Sequence, residues 1–245
     1  MKIDVLTLFP EFFSTLKDWS IIGRAIKEDI LNIDYINIRD FSKDKHKRVD
    51  DYSYGGGPGM VMTPEPIVDA IDSVKTERSR VIYLSPQGQR LDQDLVNRLS
   101  KEEHLILLCG HYEGIDNRII DHYVHEEVSI GDYVLTGGEI PAMVVIDAVT
   151  RLLPGVLSSE QSFTEESHYH GILEYPQYTR PYDFRGLKVP DVLLSGNHKE
   201  IERWRRYQAL KATYIKRPDL LKKANLTEED KEILKAIEAE LHNRS

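Results

Sequence analysis

The stretch SIGDYVLTGGEIPAMVVIDAVTRLLPG, residues 129–155, joins a strand-like segment to a helix that is apolar on nearly every side. Two glycines, Gly137 and Gly138, separate the two parts, and the acid Glu139 follows them directly. A helix that is apolar all round packs against more than one neighbour. Asp147 and Arg151 interrupt the apolar pattern at i and i+4, the spacing of a helical ion pair. The stretch therefore predicts a buried helix, 140–153, that begins at a glycine turn.

Strand-like and helix-like segments alternate through the residues that precede this stretch. Alternating or continuous apolar residues predict strands in IDVLTLF, LNIDYINIRDF, RVIYL, HLILLC, VHEEVSI and DYVLT, at 3–9, 31–41, 80–84, 104–109, 124–130 and 132–136. Helical spacing predicts helices at 20–29, 92–101 and 114–123, and another after the Thr63-Pro64 start signal. Strands that alternate with helices of this length indicate an α/β fold. We predict a mostly parallel sheet with helices on both faces.

The character of the sequence changes after Pro154. Residues 155–171 are polar and rich in Ser and Glu, which is typical of a mobile linker. Asn197 with Glu200, and later Thr227, are start signals for two helices. We therefore divide the chain into a domain at 1–160, a linker at 161–176 and a small helical domain at 177–245.

Composition limits the class of protein. Of the 245 residues, 40% are hydrophobic and 30% are charged, which is typical of a globular chain. An uncharged apolar run of the length that a membrane helix needs is missing, as is a signal-peptide pattern, so no membrane partner is predicted. The single cysteine, Cys109, fits a reducing cytoplasm. The histidines lack metal-ligand spacing, the nearest candidate being His168-Tyr169-His170, and no metal site is predicted.

The charge distribution leaves two interpretations open. The net charge is −9, yet residues 180–223 hold twelve Lys/Arg against five Asp/Glu, and residues 39–48 hold five against two. Basic islands on an acidic chain fit contacts with nucleic-acid phosphates. They also fit ordinary solvated surface, and charge alone does not separate the two.

Three predicted strands end in glycine-containing loops, at 83–88, 107–114 and 129–139. Ligands of open α/β sheets bind beyond the carboxyl ends of the strands, and glycine lets main-chain groups approach a ligand. Because these loops lack lysine, they favour a ligand held by hydrogen bonds over a polyphosphate. A fourth glycine-rich stretch, YGGGPGM at 54–60, has neither the Walker nor the dinucleotide pattern. It predicts either a flexible loop whose exposed main chain contacts a flat base, or a plain surface loop.

Six motifs in order carry a resemblance to a known family. They are DDYSYGGGPGMVM, YLSPQGQRL, CGHYEGID, SIGDYVLTGGEIPAM, YPQYTRP and VLLSGNHKEIERWR. Together they resemble the bacterial tRNA (guanine-37-N1)-methyltransferases of the SPOUT superfamily, over the whole length of the chain. The resemblance implies methyl transfer from S-adenosylmethionine to N1 of guanine 37 of tRNA, an obligate homodimer, and a deep C-terminal trefoil knot that forms the cofactor pocket.

The resemblance also implies site residues. Contacts with the cofactor are expected from Gly110 and from Ile130, Gly131, Asp132, Tyr133, Val134 and Leu135, with Tyr83, Leu84, Ser85, Pro86 and Gly138 as further candidates. Contacts with the substrate are expected from Gly59, Glu113 and Arg203. A valine at Gly138 is expected to abolish cofactor binding through crowding while folding is largely kept.

The implied chemistry needs a base and a cation. N1 of neutral guanine carries a proton, and negative charge grows on O6 when a base removes it. Arg151 has two possible roles. It is either the cation that stabilises O6 or the partner of Asp147 in a helical ion pair. The linker carries Glu166 where the family has an aspartate, so Glu166 is the candidate base, with Glu165 as a competitor and a solvated acidic linker as the alternative. His111 stands where many relatives have arginine. Mg²⁺ has been associated with the family, but no residues here identify a site for it.

Two other functions remain open at this level. One is a non-catalytic RNA-binding protein, in which the three glycine loops would have no ligand. The other is a SPOUT enzyme that methylates a different base or a ribose. Cofactor binding without RNA tests the first, and identification of the methylated nucleoside tests the second.

Overall fold

The computed structural model describes residues 1–18, 20–157, 167 and 171–242. The chain divides into two compact units, Met1–Ser158 and Ser159–Ser245, and each is described by itself. Throughout the described ranges, no helix is both long enough and apolar enough to cross a membrane.

The first unit is built around a five-stranded sheet. Its strands are β1 Lys2–Thr7, β2 Asn32–Asn37, β5 Ser79–Arg90, β6 His104–Cys109 and β7 Glu126–Ser129, and the short pair β3 Asp50–Asp51 and β4 Val61–Met62 lies apart from it. The order across the sheet is β2-β1-β6-β5-β7, and every neighbouring pair is parallel. The predicted parallel α/β sheet is confirmed.

Helices pack on both faces of this sheet. They are α1 Ser20–Lys27, α2 Pro64–Val74, α3 Gln93–Leu99, α4 Asn117–Tyr123 and α5 Glu139–Thr150. Side chains alternate across a strand, so Leu107 of β6 packs with α1, α3 and α5 while its neighbour Leu108 packs with α2 and α4. All six residues of β6 are buried, because the strand is central and covered on both faces.

Two segments differ from the sequence prediction. Strand β5 does not end at Leu84 but continues to Arg90, and both Leu84 and Gln89 pair with Val128, so that four residues bulge out between them. The predicted strand at 132–136 was wrong, since Glu126–Ser129 is the last strand of the sheet. Its apolar residues, Tyr133, Val134 and Leu135, are exposed in the structure, so their alternation does not reflect burial in a sheet.

Polar groups are buried at the edge of the sheet where the strands begin. Nε2 of His104 lies 2.7 Å from Oδ2 of Asp4, and Nδ1 of the same ring lies 2.7 Å from Oγ of Ser79. Lys2 adds an ion pair to Asp4 at 3.0 Å. Hydrogen bonding of this kind is what allows polar side chains to be buried, so we interpret this cluster as structural.

The second unit contains a hairpin and helices. Its elements are β8 Asp183–Phe184, β9 Leu187–Lys188, α6 His198–Lys216, α7 Pro218–Leu221 and α8 Glu228–His242. Helix α6 begins after Asn197, whose side chain accepts a hydrogen bond from N of Glu200 at 3.4 Å. At the start of α8, Thr227 and Asp230 cap each other, at 2.8 and 3.2 Å, and Arg206 holds both carboxylate oxygens of Asp230 at 2.7 Å. The start signals at Asn197 and Thr227 are confirmed.

Candidate functional site

A cavity of about 220 Å³ lies beside the bulge of β5 and the ends of β6 and β7. Its walls come from the β5 bulge, from the residues that follow Cys109, and from the residues that follow Ser129. This is the position that the topology of a parallel sheet favours for a ligand, because the carboxyl ends of neighbouring strands open onto one edge. The three glycine loops therefore meet at one place.

The cavity brings together eleven of the twelve predicted cofactor residues: Tyr83, Leu84, Ser85, Pro86, Gly110, Ile130, Gly131, Tyr133, Val134, Leu135 and Gly138. Asp132, the twelfth, is exposed and lies outside the lining. Residues of the same loops that the sequence did not single out as cofactor residues also line it, among them Gln87, Tyr112, Thr136 and Gly137. Their position in the glycine loops could have identified them as cavity residues. Their residue types could not, because the same types are common in loops without a ligand.

Main-chain hydrogen bonds hold the walls in place. N of Gly138 donates to O of Gly110 at 3.0 Å, which joins the start of α5 to the end of β6. Oγ of Ser129 donates to O of Gly131 at 3.0 Å and accepts from N of Gly131 at 3.2 Å. N of Tyr133 donates to O of Gly131 at 2.9 Å. These hydrogen bonds are all internal to the chain, and they fix the path of the loop after β7.

Two glycines permit close approaches inside the site. A Cβ at Gly110 would lie 2.8 Å from the ring and hydroxyl of Tyr83, and a Cβ at Gly138 would lie 2.7 Å from Cα of Cys109. The φ of Gly138 is −81°, so this position needs glycine for space and not for its backbone conformation. Since a larger side chain at 138 would meet main chain, the expectation that valine spares folding does not fit the structure.

The electrostatic character of the cavity is neutral to negative. Among the described residues, its lining includes Glu113 but no lysine or arginine. Burial, and then the charge of Glu127, raise the pKa of Tyr83 to about 12. Burial also raises the pKa of the Cys109 thiol, which therefore stays protonated and unreactive at neutral pH. The site offers no thiolate nucleophile and favours a ligand without anionic groups at its centre.

Aromatic groups cover the side of the cavity formed by His111. The His111 ring lies 5.2 Å from that of Phe9 and 4.9 Å from that of Tyr112, both edge to face. Its Nδ1 is buried and has no hydrogen-bond partner within the described part of the chain. A backbone bridge joins His111 to Gly137 and closes this wall.

The predicted substrate and catalytic residues lie in different places. Glu113 lines the cavity, and Gly59 is packed so closely on it that a Cβ at position 59 would lie 2.4 Å from the Glu113 side chain. Arg151 is the C-cap of α5 and is half-buried. Arg203 is exposed on α6 of the second unit. Glu166 and its competitor Glu165 lie outside the described residues. No three His, Cys, Asp or Glu side chains of the described ranges form a cluster that could hold a metal ion.

Comparison with known proteins decides the family. The model of the family described as tRNA (Guanine-1)-methyltransferase TrmD matches residues 1–223. The chain belongs to this methyltransferase family. It is 62% identical to the tRNA (guanine-N(1)-)-methyltransferase of Ruminiclostridium cellulolyticum over 226 residues, which are 91% of this chain and 97% of that protein. It is 60% identical to the protein of the same name from Alkaliphilus oremlandii over 247 residues, or 98% of this chain and 99% of that protein.

Membership in the methyltransferase family confirms the resemblance carried by the six motifs. The chain is therefore an enzyme, a transferase of methyl groups, and the non-catalytic alternative is excluded. The cavity at the sheet edge is the natural candidate for the site of that activity, because it is concave and built from the loops that carry three of the motifs.

Proposed function

We propose that this methyltransferase transfers a methyl group from S-adenosylmethionine to N1 of guanine 37, on the 3′ side of the anticodon of tRNA. One observation carries the proposal. The three glycine-containing segments meet in one cavity, at the bulge of β5 and the carboxyl ends of β6 and β7. The curated relatives of this chain are named tRNA (guanine-N(1)-)-methyltransferases. We propose the cytoplasm as its location, because that is where tRNA is matured.

The residues of the cavity fit the proposed cofactor. Tyr83 and Tyr133 supply aromatic surface for a flat base, and the glycines expose main-chain groups for hydrogen bonds. The described lining has no lysine or arginine to repel a cation. When bound, S-adenosylmethionine supplies a methyl group on a positively charged sulfonium. Gly110, from the segment after β6, and Ile130 and Leu135, from the segment after β7, would hold it from two sides of the wall.

The residues proposed for the chemistry act on the guanine. Glu166 would take the proton from N1, which makes the ring nitrogen a nucleophile. The Arg151 guanidinium would lie at O6 and stabilise the negative charge that grows there. Arg151 is the C-cap of α5, at the end of the helix away from the cavity wall, so its assignment rests on the family resemblance. Glu166 rests on the motif match alone.

A homodimer is part of the proposal. Helix α5 buries Val145, Ile146 and Val149 against the sheet but leaves Ile140 and Val144 at 45% and 40% exposure. These two lie at i and i+4 and therefore share one face. Apart from the exposed Asp147, the other residues of α5 are buried or half-buried. An exposed apolar strip on such a helix is the kind of surface that a second copy covers. The trefoil knot belongs to the same proposal and is supported by the family resemblance.

The second unit is proposed to bind the tRNA. Its basic residues include Lys199, Arg203, Lys216, Lys222 and Lys223, all of them exposed. Three others are already engaged in ion pairs within the unit: Arg206 with Asp230, Lys211 with Glu240 and Arg217 with Asp219. The exposed cations suit contacts with phosphates, which position a nucleic acid without reading its sequence.

The experiment is incubation with unmodified tRNA and S-adenosylmethionine labelled on the methyl group, followed by nucleoside analysis. We expect the label in 1-methylguanosine at position 37. A tRNA in which adenosine replaces guanosine 37 is the matched control and should remain unlabelled. Label in a ribose, or in another base of the wild-type tRNA, would overturn the assignment and indicate a SPOUT enzyme that methylates that other position.

A further inference from the structure

Glu139 is a buried acid to which the proposed chemistry gives no role. It is the first residue of α5, directly after the glycine pair of the cavity wall, and only 6% of its surface is exposed. Its Oε1 accepts a hydrogen bond of 2.8 Å from Oγ1 of Thr7, at the end of β1. Burial of a carboxylate is costly unless other groups compensate its charge, so its surroundings are informative.

The carboxylate lies directly behind the cavity wall. A Cβ added to Gly137, which lines the cavity, would be 2.4 Å from Oε2 of Glu139 and 2.9 Å from Nδ1 of His111. Gly138 and Pro141, on either side of Glu139, also line the cavity. The negative charge of Glu139 also contributes to the raised pKa of Cys109, after burial, which places that charge beside the end of β6. The charge is therefore separated from the cavity by little more than the main chain of the glycine turn.

Cationic compensation is scarce around this carboxylate. None of the ion pairs formed by described residues involves Glu139, and the described lining has no lysine or arginine. Thr7 provides a neutral hydrogen bond, and the first turn of α5 provides the partial positive charge of a helix start. In a site shielded from water, a charge acts on its neighbours far more strongly than at the surface. The field that reaches the cavity from this wall is therefore negative.

We infer that the Glu139 carboxylate makes this cavity prefer a cationic sulfonium cofactor to its neutral thioether product. The inference rests on the proposed function, since it concerns S-adenosylmethionine and S-adenosylhomocysteine in the same cavity. The two ligands differ by one methyl group and one positive charge. A negative wall charge therefore favours entry of the methyl donor and departure of the spent cofactor. Glu139 acts here as a specificity-determining residue.

The test is the ratio of two dissociation constants, measured by calorimetry without RNA at pH 8, where histidine side chains are generally neutral. We expect the wild type to bind S-adenosylmethionine more tightly than S-adenosylhomocysteine. Glu139→Gln keeps the size of the side chain and an acceptor for Thr7 but removes the charge. We expect this variant to reduce the preference about tenfold, mainly through weaker binding of the cationic S-adenosylmethionine. A tenfold change is the size of effect expected from a charge several Å from the ligand at an intermediate dielectric constant.

Two further variants separate charge from structure. Glu139→Asp keeps the charge and should keep most of the preference, even if both affinities fall. Glu65→Gln removes the same charge from an exposed position on α2 and should leave the ratio unchanged, because solvent and salt screen surface charges. If the role of Glu139 were merely structural, Glu139→Gln would lower the affinity for both ligands by the same factor.

The outcomes distinguish this inference from the proposed function. If the wild type binds both ligands equally, or the Gln variant keeps the wild-type ratio, the inference is wrong and the proposed function stands. If the wild type binds neither ligand, both are wrong. If the Gln variant does not fold, the wild type and Glu139→Asp decide. The inference is overturned if the wild type has no preference for S-adenosylmethionine, or if Glu139→Asp loses that preference.

Discussion

Replacement of Gly138 by alanine should reduce stability as well as cofactor binding. The added methyl would lie 2.7 Å from Cα and 3.1 Å from Cβ of Cys109. Ordinary carbon contacts begin near ~3.5 Å, so the main chain of α5 or β6 must move by about 1 Å. Cys109 is fully buried at the end of the central strand, and the structure there has little room to yield. Overpacking of this kind costs about 1–3 kcal/mol.

The expected loss can be measured by differential scanning calorimetry on the full chain. For a protein of this size, each kcal/mol lowers the melting temperature by roughly 2–4 °C, so a decrease of about 2–12 °C is expected. Gly110→Ala is the matched control, because its methyl would meet the Tyr83 side chain, which can rotate more easily than main chain can shift. It should weaken cofactor binding with a smaller change in melting temperature. A Gly138→Ala protein that melts within one degree of the wild type would show that the close approach to Cys109 is unimportant.

Three other perturbations test separate parts of the structure. Glu166→Gln should lower the single-turnover rate of methyl transfer by about 10²–10⁴, the usual loss for a general base, while cofactor binding persists; a wild-type rate would remove Glu166 from the mechanism. The Arg206 guanidinium holds the pKa of Asp230 at about 2, below its ordinary value of 3.8. This depressed pKa stabilises the fold above pH 4 by about 2 kcal/mol, and the contribution is lost as the pH falls from 4 towards 2. Asp230→Asn should therefore melt lower than the wild type at pH 7 but about equally at pH 2, and equal melting at pH 7 would contradict this. Val144→Asp should shift the sedimentation of the protein from dimer to monomer, and an unchanged dimer would place the interface elsewhere.

The sheet could be predicted from sequence because its strands are buried on both faces. HLILLC is apolar at almost every position, and β6 is the central strand that such a run indicates. The helix starts could be predicted because they rest on local chemistry, as at Asn197, whose side chain accepts from N of Glu200 at 3.4 Å. Local signals of this kind do not depend on the rest of the fold.

The wrongly predicted strand, at 132–136, lies in a segment whose apolar residues are exposed and not packed in the sheet. The alternation in DYVLT predicted a strand, but Tyr133 and Val134 are 54% and 83% exposed at the mouth of the cavity. Periodicity measures the spacing of apolar residues and does not say what covers them. The cavity itself could be located from the three glycine loops. The burial of Glu139 behind its wall could not, since only the three-dimensional fold brings Thr7 next to it.

The bulge in β5 has a consequence for the entropy of ligand binding. Leu84 and Gln89 both pair with Val128, so the wall at Ser85–Gly88 is held by sheet hydrogen bonds on both sides. Gly88 lies so close to β7 that a Cβ would be 2.4 Å from the carbonyl carbon of Glu127. An ordinary loop would have to lose conformational freedom when a ligand arrives, at about 1–2 kcal/mol for each residue that becomes fixed. Here that ordering has already taken place during folding, and a ligand meets a wall whose shape is set in advance.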